Sequence, residues 1–246
     1  MAVNSIRAVC FDLDNTLWDV WPVIRRAEQA MYDFLVARYP QAVAQVTIQS
    51  MREARMRVAV EHPQMAHDFS FLRMEALRQQ ARSCGCAETM AEEAFDVFLQ
   101  ARNDVELYAD TRPALAILRQ RFRLFSASNG NADLTRVGLA PFFERSIAAR
   151  EVGALKPDPV VYLKVIEGTD LAPHEVLFVG DDPEHDVEGA RRAGMLPVWI
   201  NRNDAAWPQA LELPAYSIKT LLELTRMLGL GAAMPAEGDQ KGHSLP

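Results

Sequence analysis

Two aspartates one residue apart, Asp12 and Asp14, stand at the carboxyl end of the apolar run Ala8-Val9-Cys10-Phe11. Asn15-Thr16-Leu17-Trp18 follows as an Asx-type turn. An aspartate, with an ordinary pKa of about 3.9, is anionic near neutral pH and can attack an electrophile. A second one in crowded acidic surroundings can hold a proton and give it up. The pair therefore suits one nucleophile and one acid/base, acting from different angles, better than two equivalent ligands. Three further stretches carry complementary groups. Ser128-Asn129-Gly130 offers a hydroxyl and an amide beside a residue that lets backbone approach closely. Lys156 precedes Pro157-Asp158-Pro159 at a helix start, where backbone N–H groups and the helix dipole also favour an anion. Asp181, Asp182 and Asp186 crowd a third stretch. Each of these alone reads more readily as a common turn or helix entry. Together they supply a hydroxyl, a cation and a carboxylate cluster that needs a counter-ion. Hard oxygen donors without histidine or cysteine point to magnesium rather than zinc, and magnesium is readily completed by a phosphate oxygen. Such a set suits in-line phosphoryl transfer, where positioning and charge neutralisation carry most of the catalysis.

Chemistry of this kind requires the four stretches to meet, and the surrounding patterns say how. The run at 8–11 is apolar on both faces, as a buried parallel strand is. In open parallel sheets, ligands bind outside the carboxyl ends of the strands. Further strands are expected at 123–127, 146–148, 176–179 and 197–200. Helices are expected after Asp110-Thr111-Arg112-Pro113, with Asp110 or Thr111 as the cap, after Pro159, over 184–193 and over 217–228. Alternating strands and helices give an α/β fold with a Rossmann-like parallel sheet. Between 20 and 107 the pattern is helical, with Val23, Ala27, Ala30, Met31, Phe34 and Leu35 spaced as one apolar face. This block reads as an inserted all-helical cap. The expected division is a discontinuous core of 1–18 and 108–230, a cap of 19–107, and a flexible tail of 231–246.

Composition narrows the partners. A net charge of −7 argues against nucleic acid and anionic membrane surfaces, so an anionic substrate must be attracted locally. The helical block holds ten arginines and no lysine against twelve acids, so it is not strongly repulsive to an anion. No stretch approaches the roughly 20 apolar residues needed to cross a bilayer, and no signal pattern opens the chain. The expected setting is cytoplasmic, as a monomer or homodimer acting on a small phosphate ester. Three cysteines without a secretion signal argue against a disulfide framework, and Cys84 and Cys86 read as buried or half-exposed thiols.

The four stretches, in this order, resemble the signature motifs of the haloacid dehalogenase-like phosphatases. They are Phe11-Asp12-Leu13-Asp14-Asn15-Thr16-Leu17, Ser128-Asn129-Gly130, Lys156-Pro157 and Gly180-Asp181-Asp182-Pro183-Glu184-His185-Asp186. The resemblance covers about 6–201, and the helical insert resembles the cap of one branch. It implies that Asp12 is the nucleophile and forms an aspartyl-phosphate. Asp14 would protonate the leaving oxygen, activate the hydrolytic water, and touch the metal through its carbonyl. Asp12 and Asp181 would be carboxylate ligands of Mg2+, and Ser128, Asn129 and Lys156 would hold the phosphoryl group. Asp186 and Asp182 would act around them, Asp186 by orienting Lys156 or a metal-bound water. The dehalogenases of the superfamily lack an aspartate at the place of Asp14.

Substrate choice would fall to the cap. Trp18 and Trp21 leave the catalytic strand directly and are expected either to line the entrance or to wedge the hinge. His67 to Arg73 is polar and aromatic enough for a substrate loop, with Arg73 otherwise a solvated helix residue. Trp18-Asp19-Val20-Trp21-Pro22, His67-Asp68 and Ser128-Asn129-Gly130-Asn131-Ala132 resemble bacterial flavin mononucleotide phosphatases. That group also dephosphorylates a ribityl-aminopyrimidine phosphate. Nucleotides, sugar phosphates and phosphoglycolate are the alternative substrates. Rival classes are a phospho-accepting receiver, a dehalogenase and an inactive binding module.

Overall fold

The structure, a computed structural model, describes residues 5–230; the tail expected at 231–246 lies outside them. Strand β1 (Ala8–Phe11) is followed by helices α1 (Val20–Arg38), α2 (Pro40–Val43), α3 (Ile48–Glu61), α4 (Phe69–Ser83) and α5 (Thr89–Arg102). Next come α6 (Thr111–Leu118), β2 (Arg123–Ser128), α7 (Leu134–Val137), β3 (Arg145–Ala148), α8 (Ala149–Val152) and α9 (Pro159–Ile166). The chain closes with β4 (Val176–Gly180), α10 (Gly189–Arg192), β5 (Leu196–Ile200), β6 (Ser217–Ile218) and α11 (Leu221–Met227). The six strands form one sheet in the order β3-β2-β1-β4-β5-β6, and every neighbouring pair is parallel.

β1 lies at the centre because all four of its side chains can be buried. Its alternation feeds two cores. Val9 and Phe11 join Leu115, Leu118, Leu221 and Leu224 on one face of the sheet. Ala8 and Cys10 join Val161, Tyr162, Val165 and Ala190 on the other. Burial of Phe11 alone stabilises by roughly 1.5–3 kcal/mol. The register sets Phe11 opposite both Ser126 and Val179, so Asp12, Ser128 and Asp181 emerge at one sheet end. That is the arrangement the strand pattern led us to expect.

The insert leaves and rejoins the sheet at one point. Trp18 bridges to Leu107 in antiparallel sense, and Tyr108 N donates to Leu17 O at 3.0 Å. Its helices pack around Ala27, Met31, Leu35, Leu77, Ala94, Phe95 and Phe98, a core separate from the two on the sheet. No helix among the described residues is long and apolar enough to cross a membrane.

Three local expectations are corrected. The closing helix starts at Leu221 rather than 217, because Ser217 and Ile218 pair with Trp199 and Ile200 as a sixth strand. The Thr220 hydroxyl then caps the helix by accepting from Glu223 N. Asp110 precedes α6 but makes no side-chain capping bond. It accepts instead from Leu221 N at 2.5 Å and pairs with Arg202, tying α6 to α11. Cys84 and Cys86 are joined as a disulfide rather than standing as thiols. The turn at Gly85, with φ +66°, brings their Cα atoms to 5.4 Å, inside the span a disulfide bridges.

Candidate active site

β1 ends at Phe11, and Asp12 N continues the ladder by donating to Val179 O at 2.9 Å. Residues two apart on a strand share a face, so strand geometry alone would aim Asp12 and Asp14 together. The turn separates them. Asn15 takes φ +60°, a conformation asparagine tolerates better than most residues, and its Oδ1 accepts from Val20 N at the start of α1. Asp14 is thereby turned toward the insert. Its Oδ1 accepts from the Trp18 indole N–H at 2.8 Å, and Arg102 Nη2 lies 2.7 Å from both of its oxygens.

Asp12 meets a different cation. Lys156 Nζ donates to Asp12 Oδ1 at 2.5 Å and to Asp186 Oδ1 at 2.6 Å, with all three groups buried. Burial works against the charged ammonium, but the two carboxylates outweigh it and hold the Lys156 pKa above its usual value. Asp12 is raised well above the carboxylate range, first by burial and then by Asp186 and Asp181, although Lys156 pulls the other way. Asp181 is pushed up to about 7, by burial first and by Asp186 next. Among the described residues, Asp12, Asp181 and Asp186 each bring a carboxylate oxygen within 4.8 Å of the others.

The remaining groups are positioned by loops. Ser128, at the end of β2, is 4% exposed and its Oγ accepts from Gly130 N at 3.0 Å. Asn129 spends its amide on Lys156, accepting from its N at 2.8 Å and donating to its O at 3.2 Å, so it fastens two loops together. Asp182 is a capping residue whose Oδ1 accepts from Glu184 N and His185 N. Burial would raise its pKa, but the bonds from His185 and Glu184 hold it below the usual range. Gly130 and Gly180 are required by space. A Cβ at Gly130 would lie 2.6 Å from Asp14 Oδ2, and one at Gly180 would lie 2.3 Å from Asp186 Cγ. No larger residue fits without displacing a carboxylate.

These residues form the floor of a cavity of about 320 Å³ whose opposite wall is the helical insert. Trp21, Ile24, Arg55, Phe69, Arg73 and Phe98 face it from α1, α3, α4 and α5. Trp21 is 63% exposed at this wall. Trp18 and His67 are not among the lining residues. Trp18 is fully buried and acts on Asp14 through its indole N–H, while His67 is half-buried ahead of α4. Arg73 sits within α4 rather than on a loop, and it is buried, not solvated.

Sequence reasoning placed Phe69 in its candidate substrate stretch but did not find Arg102, Arg55 or Phe98. Arg102 carried a signal: it continues Met90, Ala94 and Phe98 at four-residue intervals, on the buried stripe of α5. A charge at such a position needs a partner, and the partner is Asp14. Arg73 lies on the stripe of Leu77 and Ala81 in the same way, and Glu28 meets it from α1.

The family description "haloacid dehalogenase-like hydrolase" matches residues 6–194. The chain is 31% identical over 234 residues to the 5-amino-6-(5-phospho-D-ribitylamino)uracil phosphatase YigB of Escherichia coli K12, covering 92% of this chain and 98% of that one. It is 26% identical to the human N-acylneuraminate-9-phosphatase, covering 93% and 96%. A crystal structure of a 2-haloacid dehalogenase from Pseudomonas syringae pv. Tomato DC3000 superposes with a TM-score of 0.86 at 36% identity, covering 91% and 98%. Matched along nearly all of its core, with its acidic floor, lysine and serine at one sheet end, the chain belongs to the haloacid dehalogenase-like hydrolases.

Proposed function

We propose that this phosphatase of the haloacid dehalogenase-like hydrolases cleaves phosphomonoesters of small metabolites through an aspartyl-phosphate on Asp12. The observation that carries the reading is the convergence of Asp12, Lys156, Asp181, Asp186 and Ser128 on one cavity floor. Asp12 Oδ attacks phosphorus, and Lys156 and Ser128 neutralise and orient the phosphoryl oxygens. Asp14, on the insert side of the cavity, gives its proton to the departing oxygen. It then takes a proton from the water that hydrolyses the acyl phosphate. Asp186 holds Lys156 from behind. The insert serves as a cap domain (19–107) over a core of 1–18 and 108–230.

Three carboxylates within 4.8 Å, with no nitrogen or sulfur donor in the group, fit a hard divalent cation such as Mg2+. Asp12 and Asp181 would hold it, with Asp186 behind them and the Asp14 carbonyl as a further ligand. When bound, it would neutralise charge on the phosphoryl oxygens. This has a consequence for stability. The Asp181 carboxyl, raised to about 7 in the folded protein from an ordinary 3.8, makes the folded state bind more protons than the unfolded one between those values. Stability of the metal-free protein is therefore present in acid and lost as pH rises through 7. Scanning calorimetry without metal is expected to give a lower Tm at pH 8 than at pH 5.5. Mg2+ at about 100 times its Kd should restore about 5–10 °C at pH 8 and less at pH 5.5. A Tm at pH 8 that ignores magnesium would remove the cation from this cluster.

For the leaving group, the relative named a phosphoribitylaminouracil phosphatase supports a ribityl phosphate, with flavin mononucleotide as a second member of that class. Trp21, Phe69 and Phe98 offer aromatic surface for a flat ring. Arg55 and Arg73 favour a different leaving group, an acidic one such as phosphoglycolate carries. The deciding experiment is a panel of phosphorylated metabolites with Mg2+, including flavin mononucleotide, phosphoglycolate, nucleotides and sugar phosphates. Turnover of para-nitrophenyl phosphate, lost on EDTA treatment, is the expected baseline. Near-zero turnover would favour a receiver-like role, and metal-independent halide release from 2-chloropropionate would favour a dehalogenase.

A further inference from the structure

The cavity has two ends of opposite charge. Its floor carries Asp12, Asp14, Asp181, Asp182 and Asp186, whereas the insert contributes only basic residues among its charged lining groups: Arg55, Arg73 and Arg102. Arg102 is committed to Asp14. Arg73 has only a shared carboxylate, and Arg55 has no partner among the described residues. Arg73 is 6% exposed, and its guanidinium lies 3.8 Å from the centroid of the Phe98 ring. Its one carboxylate neighbour is Glu28, at 3.4 Å through Nη2. Glu28 is shared, since its other oxygen, Oε2, accepts from Arg52 Nε at 2.7 Å and lies 2.6 Å from Arg52 Nη2. Arg55 makes no hydrogen bond or ion pair among the described residues. Burial pushes Arg73 down to about 10, and the charge of Arg55 works in the same direction.

Two guanidiniums, Arg52 and Arg73, thus share one carboxylate, and Arg55 has none among the described residues, along a partly apolar wall. Burying charge without a partner is costly, so a cluster like this is stable in use when an anion completes it. The metal-and-phosphate chemistry of the floor does not supply that anion, because its own lysine and Arg102 already serve those carboxylates. Guanidinium forks match carboxylate and phosphate oxygens in pairs.

We infer that Arg55 and Arg73 form a second anion subsite, which selects phosphomonoesters whose leaving group carries a carboxylate or a further phosphate. This rests on the phosphatase reading above and names its substrate class. Trp21, Ile24 and Phe98 line the same cavity with apolar surface, which suits a short carbon skeleton.

The test uses three esters on one two-carbon skeleton: 2-hydroxyethyl phosphate, whose leaving group is neutral, and 2-phosphoglycolate and ethylene glycol bisphosphate, whose leaving groups are charged. Their binding is measured by calorimetry with Mg2+ on the Asp12→Asn protein, and again on Asp12→Asn/Arg55→Gln. At least one charged ester is expected to bind ten times or more tighter than the neutral one. The tighter of the two identifies the anion the subsite is built for. Arg55→Gln should bring the ratio close to one, and Arg55→Lys should retain part of it. Arg55 is half-buried on a helix surface, so these variants test the subsite without removing a core residue. Equal binding of all three esters overturns the inference. So does an Arg55→Gln loss that is the same for charged and neutral esters, which would assign the arginine to the transferring phosphoryl group. Wild-type turnover of para-nitrophenyl phosphate is read in parallel. Turnover without charge preference removes the subsite alone, and charge preference without turnover removes the phosphatase reading alone.

Discussion

The Asp12→Asn protein is expected to lose at least about 10⁴-fold in kcat on para-nitrophenyl phosphate while remaining folded. An amide oxygen can still accept from Lys156, but it cannot displace an alcohol from phosphorus, so the covalent route closes. Stability should change little. The substitution removes one of three crowded carboxylates, which relieves repulsion with Asp181 and Asp186, and gives up part of the pairing with Lys156. The check is a steady-state assay beside a thermal melt. Wild-type turnover by this variant would mean that the nucleophile lies elsewhere.

Lys156→Met combines both effects, with the heavier cost on stability. It leaves Asp12 and Asp186 buried without their shared cation, and breaking a buried pair in this way costs about 3–5 kcal/mol. Activity should also fall by orders of magnitude, because the phosphoryl group loses its one lysine. The pH dependence separates this from simple misfolding. Protonation relieves two unpaired carboxylates, so urea midpoints for the variant should rise markedly from pH 8 to pH 5.5, and Mg2+ at pH 8 should recover part of the loss. A variant as stable as wild type at pH 8 would show that Asp12 and Asp186 do not depend on this lysine.

Much of the molecule could be read from its residues, and the limits have physical causes. The core strands announced themselves because burial on both faces leaves a continuous apolar run, as in Val176 to Val179. β6 did not, since two residues carry no period and their pairing with Trp199 and Ile200 is a tertiary matter. The floor of the site was legible because its groups sit at strand ends, where order along the chain converts directly into place in space. The wall was not. Arg102 meets Asp14 across 88 positions of sequence, and helix packing decides which of ten arginines turn inward. The buried stripes that hold Arg73 and Arg102 mark these residues as exceptions, yet they do not say what each one faces. Asp14 shows a further limit. Its direction depends on the left-handed backbone of Asn15, which the composition of the turn permits but does not require.

The bridge between Trp18 and Leu107 means that the chain exits and re-enters the sheet through a single doorway. A long excursion can therefore change in length, helix number or lining without stretching β1 or shifting its register against β2 and β4. Under the proposed function, reaction type and substrate choice would be separately heritable, one written into the strand ends and the other into the inserted lobe. Grafting the lobe of a relative onto this doorway is a direct route to a new selectivity on unaltered chemistry, provided that the graft keeps a guanidinium where Arg102 reaches Asp14.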